Sequence, residues 1–249
     1  MSVIKARGIV IKEQDNGEAG KLLTLLIKGS GRAMASARGA RRQGSKIAAG
    51  AQLFTYSDFV FFKRGDFLSL TQADVIENFY ALRTDYDRLR AGSYLLELCD
   101  RTIMENVPCD DVMYLLLKTL LALSRGKASP DLAARAFEFK FFAYMGMAPD
   151  FSRCARCGRE IGEAGPVLFA GDGAVCAACA NERNSAGNAA ALVRLSREAV
   201  NAARGFVESQ PDRLFAAREM PNAAVLAELE RAAGAFIQNH FDIRLKSLR

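Results

Sequence analysis

The sequence predicts an α+β protein in which a small β-barrel precedes an all-α domain that carries a metal-binding ribbon. Residues 1–80 are rich in extended patterns, and helix signals begin at about residue 82. Two Cys-x-x-Cys pairs then interrupt the helical part, with glycines around them. We therefore expect one domain at 1–80 and a second at 81–249, with the metal-binding insertion at about 150–182.

The first 80 residues predict five strands and no convincing helix. Apolar and β-branched residues dominate each segment, and Gly, Asn and Asp mark turns between most of them. The expected strands cover residues 3–12, 22–28, 32–37, 52–63 and 67–79. A five-stranded OB-fold barrel is the most economical arrangement of such strands, and this barrel often binds single-stranded nucleic acid.

Positive charge is concentrated in the predicted barrel. The net charge of the chain is +6, and residues 19–57 contain seven Lys and Arg residues with no Asp or Glu. The glycine-containing stretch 38–46 is expected to be a mobile loop. Its bases favour contact with a polyanion, although a solvated loop that keeps the protein soluble remains an alternative. The candidate nucleic-acid-binding residues are Arg38, Arg41, Arg42, Lys46, Lys5, Arg7, Lys21 and Arg32.

Aromatic residues of the predicted barrel include candidates for base stacking. They are Phe54, Tyr56, Phe59, Phe61 and Phe62. Because both alternating faces of this strand are apolar, more than half of these side chains must belong to the core. The sequence does not indicate which of them stacks.

Helix start signals organise the second domain. Residues 84–87 offer an N-cap followed by acids, Asp110 is expected to cap a second helix, and Ser129-Pro130 begins a third. Aromatics surround the third helix, which favours a central core helix. The alternative is a groove for an acidic peptide, framed by Arg135 and Lys140. Further helices are expected at 196–209 and from Pro221.

The two cysteine pairs give the most specific chemical signal. Cys154 and Cys157 precede Cys176 and Cys179 by 18 residues, a spacing typical of a four-cysteine zinc site. Four protein ligands close the coordination shell, which favours a structural metal over a catalytic one. Iron suits the same tetrahedral sulfur cage. Cys99 and Cys109 lack such spacing and are expected to be structural thiols.

Several classes of protein are disfavoured. The single histidine, His240, lies far in sequence from the cysteines, and no phosphate-binding loop or nucleophile elbow is present. We therefore expect no enzyme. The chain also lacks an apolar run long enough for a membrane helix and a signal-peptide core, so a cytoplasmic protein is expected.

The whole chain resembles the RecO family. The order of parts fits, Arg38-Gly39-Ala40-Arg41-Arg42 resembles that family's "KGARR" segment, and residues 240–248 resemble its ending. The resemblance implies a recombination mediator of bacterial DNA repair that binds single- and double-stranded DNA and anneals complementary strands. It also implies RecR as partner, often with RecF, and help in loading RecA onto strands covered by single-stranded-DNA-binding protein (SSB).

The resemblance also assigns residues. The motif's basic positions match Arg38, Arg41 and Arg42, where Arg38 replaces the usual lysine. The family's zinc ligands match the four paired cysteines, although some members lack them. The acidic C-terminal tail of SSB binds the helical domain in some members, and charge and nearby aromatics, rather than a motif match, suggest Arg135 and Lys140 for it here. An RNA-binding or ribosome-associated ribbon protein, and an enzyme with an unrecognised site, are the alternatives.

Overall fold

The computed structural model describes residues 2–162, 167–171, 173–185, 192–216, 220–241, 243 and 245. The chain forms two compact units. The first contains residues 1–125 and the chain end from 245, and the second contains residues 126–244. Among the helices of the described ranges, none is both long enough and apolar enough to cross a lipid bilayer.

A closed five-stranded barrel forms most of the first unit. Its order is β1-β2-β3-β5-β4, with β1 paired to both β2 and β4. The short β3–β5 contact is the parallel pair in this barrel, through Ala35–Leu68 and Ser36–Ser69. The expected OB-fold is therefore confirmed. The strands are β1 (Ser2–Asn16), β2 (Gly20–Ile27), β3 (Gly31–Ala37), β4 (Tyr56–Arg64) and β5 (Phe67–Glu77).

Strand alternation fills the barrel interior. Phe59 and Phe61 of β4 are 1% and 0% exposed, and their ring centroids lie 5.6 Å apart. They pack with Leu23 and Leu25 of β2 and Val10 of β1 in one apolar cluster. Full burial of side chains of this size stabilises a fold by about 1.5–3 kcal/mol each. Hydrocarbon burial thus stabilises the barrel.

The segment between β3 and β4 differs from expectation. We predicted a mobile loop at 38–46, but residues 38–55 form a succession of turns with their own backbone hydrogen bonds. The Ala51 N–H donates to the Ile47 carbonyl at 3.0 Å, and the Arg41 N–H donates to the Ala19 carbonyl at 3.0 Å. Ala40, Ile47 and Ala51 are buried in the barrel cluster. Their burial fixes the segment on the barrel and leaves its charged side chains outside.

Three helices complete the first unit: α1 (Tyr80–Arg83), α2 (Tyr86–Thr102) and α3 (Asp110–Ser124). The Asp85 carboxylate caps α2 by accepting from the Arg88 N–H, as the acids at 84–87 predict. The helix ends at Thr102, where the Ile103 N–H donates to the Cys99 carbonyl. Asp110 is the first residue of α3 rather than its cap, and its carboxylate accepts from the Gly29 N–H at 2.7 Å.

The second unit combines helices with a small three-stranded sheet of order β7-β6-β8. The Ser129 hydroxyl accepts from the Leu132 N–H, so the predicted start at Ser129-Pro130 is confirmed. The Ser196 hydroxyl likewise caps the helix that follows it. The elements are α4 (Pro130–Tyr144), β6 (Val167–Phe169), β7 (Ala174–Val175), α5 (Ala177–Ser185), β8 (Val193–Leu195), α6 (Arg197–Glu208) and α7 (Ala223–Phe241).

Helix α4 is the core helix of this unit. All of its residues from Leu132 to Phe142 are buried. The ring of Phe142 lies 4.3 Å from that of Phe236 on α7, and His240 stacks on Phe236 at 3.9 Å. The core-helix interpretation is confirmed, and the single histidine of the chain packs against this core.

Candidate nucleic-acid surface and candidate metal centre

The turn segment presents a row of exposed bases. Arg38, Arg41, Arg42 and Lys46 are all exposed. A positive φ of 74° at Gly39 lets the backbone reverse direction between the first two of these arginines. Arg41 also lies 3.0 Å from the Asp15 carboxylate, in an ion pair whose members are both largely exposed. Solvent screens such a pair, so a phosphate can compete with Asp15 for this guanidinium.

Two further candidates lie on the outer face of β1. Lys5 is exposed. Arg7 donates two hydrogen bonds to the Asp58 carboxylate, at 2.7 and 2.8 Å. These bonds lower the pKa of Asp58 and raise that of Arg7. The charge of Arg7 is therefore offset by its neighbour, whereas Lys5 extends into solvent.

Lys21 and Arg32 are engaged within the fold. Lys21 lies 2.7 Å from the Glu13 carboxylate and donates to the Ala51 carbonyl. Arg32 donates to the Ile103 carbonyl at 2.9 Å and pairs with the carboxylates of Asp100 and Glu105. Both side chains hold secondary elements together. A nucleic-acid role for either residue stays a prediction and requires these contacts to break.

Burial separates the aromatic candidates. Phe54, Phe59 and Phe61 are at most 1% exposed, and Tyr56 is half-buried. Phe62 is 38% exposed on the outside of β4. Phe67, at 53% exposed, was not among the sequence candidates although it directly follows the turn between β4 and β5.

The four paired cysteines converge on one point. Their Sγ atoms all lie within 4.8 Å of one another, so they form a group that could hold a metal ion. The Sγ atoms of Cys157 and Cys176 are 3.7 Å apart. Zinc–sulfur bonds of about 2.3 Å give a tetrahedron with edges of about 3.8 Å. The donor set and its spacing therefore fit a tetrahedral thiolate metal.

Backbone hydrogen bonds form the two knuckles. The Gly158 N–H donates to the Cys154 carbonyl at 2.9 Å, and the Ala180 N–H donates to the Cys176 carbonyl at 3.0 Å. The Ala155 N–H donates to the Ala174 carbonyl at 2.8 Å and joins the first knuckle to β7. These local bonds, rather than a large apolar core, orient the thiols.

The thiols of the cluster differ in pKa. Burial raises the pKa of Cys154, but backbone N–H groups of Cys176, Cys157 and Arg156 outweigh it and bring that pKa to about 6. A backbone N–H of Cys179 lowers the pKa of Cys176. Hydrogen bonds with Cys176 and Cys157 raise the pKa of Cys179 to about 12. Four adjacent thiolates repel one another, and a cation bound among them would relieve that repulsion.

Arg135 and Lys140 do not frame an open groove. They are 4% and 6% exposed. Arg135 lies 2.9 Å from the Glu138 carboxylate, and the Lys140 ammonium donates to the Val207 carbonyl at 2.6 Å. The expectation of a groove framed by these two side chains is therefore corrected, because both are inside the helical unit. The sequence does not show whether a long basic side chain on a helix rich in aromatic residues points inward.

The fold and the cysteine cluster define a class of protein, an OB-fold barrel followed by a helical region with a four-cysteine ribbon. Comparison with known families agrees with this description. The model described as "Recombination protein O N terminal" matches residues 1–79, and "Recombination protein O C terminal" matches residues 83–249. The chain belongs to the RecO family.

Curated relatives span nearly the whole chain. A protein of Acetivibrio thermocellus is 33% identical over 242 residues, covering 97% of this chain and 93% of its own length. One from Anaeromyxobacter sp. (strain K) is 34% identical over 259 residues, covering 100% and 96%. A third, from Streptomyces avermitilis, is 39% identical over 206 residues, covering 78% and 82%. All three carry the name "DNA repair protein RecO".

Proposed function

We propose that this protein is a DNA-repair and recombination mediator that binds single- and double-stranded DNA and anneals complementary strands. With RecR it helps load RecA onto single strands covered by SSB. It acts by binding rather than by catalysing a covalent reaction. The observation that carries the proposal is the row of exposed bases at 38–46 on an OB-fold barrel.

The geometry of this segment suits a phosphate backbone. Buried Ala40, Ile47 and Ala51 fix it on the barrel, so its arginines start from an ordered base. Because the segment is already ordered, less conformational entropy is lost when it binds DNA. Arginine can also contact phosphate with two N–H groups, and such contacts do not depend on base sequence.

The partners follow from family membership rather than from a described interface. RecR, in some cases with RecF, and the acidic C-terminal tail of SSB are the proposed protein partners. The surfaces for these partners would exclude Arg135 and Lys140, whose side chains are buried in the helical unit.

We also propose that the four cysteines hold a structural zinc ion. Cys154, Cys157, Cys176 and Cys179 would be its ligands, and the metal would join the two knuckles. Elemental analysis of protein purified under reducing conditions tests this, and visible absorbance separates iron from colourless zinc. One equivalent of zinc is expected. Protein that contains neither metal would contradict the site.

The binding test replaces Arg38, Arg41 and Arg42 by alanine together. Each lost single-strand phosphate contact should lower the slope of log affinity against log salt by about 0.7, so a decrease of about 2 is expected. Fluorescence anisotropy with a thymine oligonucleotide measures both affinity and slope. The control replaces the exposed Arg101, Arg125 and Lys127 by alanine, with the same change in charge.

The same proteins are then compared in annealing of SSB-coated complementary strands. The unchanged chain and the control variant should accelerate annealing, and the triple-arginine variant should not. Equal binding, slope and annealing in all three proteins would contradict the role of the segment. A clear preference of the unchanged chain for structured RNA over DNA would favour an RNA-binding protein instead.

A further inference from the structure

The outer face formed by β1, β2 and β3 is largely covered in this protein. OB-folds commonly bind oligonucleotides on the face centred on strands 2 and 3. Here one row of that face consists of Ile9, Leu26 and Arg32. Ile9 and Leu26 are both 0% exposed, and Arg32 donates to the Ile103 carbonyl beyond α2. The end of α2 and the following residues therefore lie over this row.

The outer face of β1, β4 and β5 is open and carries apolar side chains. Val3, Phe62 and Ser69 lie side by side in one row across the three strands. Val3 is 66% exposed and Phe62 is 38% exposed. In the next row toward the β4–β5 turn, Phe67 lies opposite Arg64. Two phenylalanine rings thus lie within neighbouring rows of an exposed surface.

Positive charge borders these rings. The row on the other side of Phe62 contains Lys5 and Val60, so the three rows centred on Phe62 include Lys5 and Arg64 and no carboxylate. One row further, Asp58 lies between Arg7 and Asp74, and its charge is offset by Arg7. Asp66 lies in the turn itself. Aromatic rings bordered by cations match the chemistry of a single-stranded nucleic acid.

The basic turn segment begins near the open face, at the end of a strand whose Ser36 side chain is buried. Ser69 pairs with Phe62 on one side and with Ser36 of β3 on the other. Ser36 therefore lies two interstrand spacings from Phe62, or about 10 Å. Arg38 follows Ser36 by two residues. A strand held by the turn segment can thus reach the rings within a few nucleotides.

We propose that Phe62 and Phe67 are base-stacking residues for a single strand whose phosphates contact Lys5 and Arg64. This inference rests on the proposed function and adds a reason why the protein would prefer single-stranded DNA over duplex DNA. A stacking ring needs an unstacked base, which a single strand offers and an intact duplex does not. Duplex DNA contacts the basic segment through phosphates and leaves the two rings unused.

Tryptophan fluorescence provides a direct test because the chain contains no tryptophan. Phe62→Trp places one indole at the proposed stacking position, and Tyr86→Trp places one on α2 at an exposed control position. A saturating thymine oligonucleotide should quench the indole at position 62 and leave that at position 86 unchanged. Binding seen by anisotropy without quenching at position 62 would overturn the inference.

Affinity measurements separate stacking from a general apolar contact. Phe62→Leu keeps an apolar side chain but removes the ring, and should weaken single-strand binding about tenfold while duplex binding is unchanged. Phe62→Tyr keeps the ring and should bind as the unchanged chain does. Equal single-strand affinity of the leucine variant would overturn the inference and leave the face to a protein partner.

The two proposals can fail separately. If the unchanged chain binds no DNA at all, the proposed function is contradicted and the stacking inference falls with it. If the triple-arginine variant loses binding while Phe62→Leu does not, the proposed function stands and only the stacking role is overturned.

Discussion

The barrel and the cysteine ribbon are both small β-structures, but different interactions hold them together. The barrel closes on itself with strands of 7–15 residues around a cluster that includes Phe59 and Phe61. The sheet beside the cysteines has strands of two and three residues. The ribbon cluster is built around small buried residues, among them Cys154, Ala170, Val175 and Ala180. Hydrocarbon burial can account for the first structure, whereas the second has few large buried side chains and would depend on the proposed zinc ion.

The largest expected effect is loss of the metal. Cys157→Ser should loosen residues 150–162, 167–171 and 173–180 and leave the barrel intact, because structural zinc supplies about 10–16 kcal/mol in zinc-finger peptides. Hydrogen exchange followed by mass spectrometry measures both regions in one experiment. Most DNA binding should remain. The control is Cys109→Ser, which changes a half-buried cysteine outside the cluster.

Two outcomes would contradict the view that different interactions stabilise the barrel and the ribbon. Unchanged protection of the ribbon amides in Cys157→Ser would show that the ribbon folds without a complete ligand set. Equal loss of protection in the barrel would show that the two structures do not depend on separate interactions.

Phe61 and Phe62 are adjacent on β4, but Phe61 faces the barrel interior and Phe62 faces outward. Phe61→Ala should lower the free energy of unfolding by about 3–5 kcal/mol, because it empties a fully buried position of the barrel. Phe62→Ala removes a partly exposed ring and should cost less than about 1 kcal/mol. Urea unfolding followed by circular dichroism compares them. Similar losses in the two variants would show that the inner and outer faces of β4 are wrongly assigned.

The smallest effect concerns the cysteines of the first unit. Burial, followed by the nearby Asp110 carboxylate, raises the pKa of Cys109 from 9.0 to about 11. Only the thiolate reacts with iodoacetamide, so at pH 8 Cys109 should react about one hundredfold more slowly than an unperturbed cysteine. Its rate should rise about tenfold per pH unit until pH approaches 11. Burial raises the pKa of Cys99 further.

Mass spectrometry of chelator-treated and untreated protein follows this reaction. The chelator should make Cys154 and Cys176, whose pKa values are lowered, reactive and leave Cys99 and Cys109 slow. Rapid labelling of Cys109 at pH 8 in the folded protein would contradict its raised pKa. Labelling of the cluster at the same rate with and without chelator would contradict metal protection.

The sequence predicts the fold class well because its strongest signals are local. Alternation and turn residues locate all five barrel strands, and Ser129-Pro130 locates the start of α4. The cysteine spacing likewise predicts which four side chains converge. Each of these signals is a residue pattern within a short segment or at a fixed spacing, so no tertiary information is needed to interpret it.

The remaining features depend on contacts between distant residues. Residues 59–62 read Phe-Val-Phe-Phe, so alternation does not show which rings face the interior. Ile47 is a single apolar residue in a basic, glycine-containing stretch, and its burial was therefore not predicted. The three partners of Arg32 lie 68–73 residues away in the sequence, so neighbouring residues do not predict its contacts.

The contacts of Arg32 also decide where the chain can be divided. Residue 80 ends the predicted barrel domain, and the family models meet between residues 79 and 83. The compact unit nevertheless extends to Arg125. A fragment that stops near residue 80 keeps all five strands but loses the partners of Arg32 and the cover over Leu26. Such a fragment should expose this apolar row and aggregate, whereas one that continues to residue 125 should stay in solution.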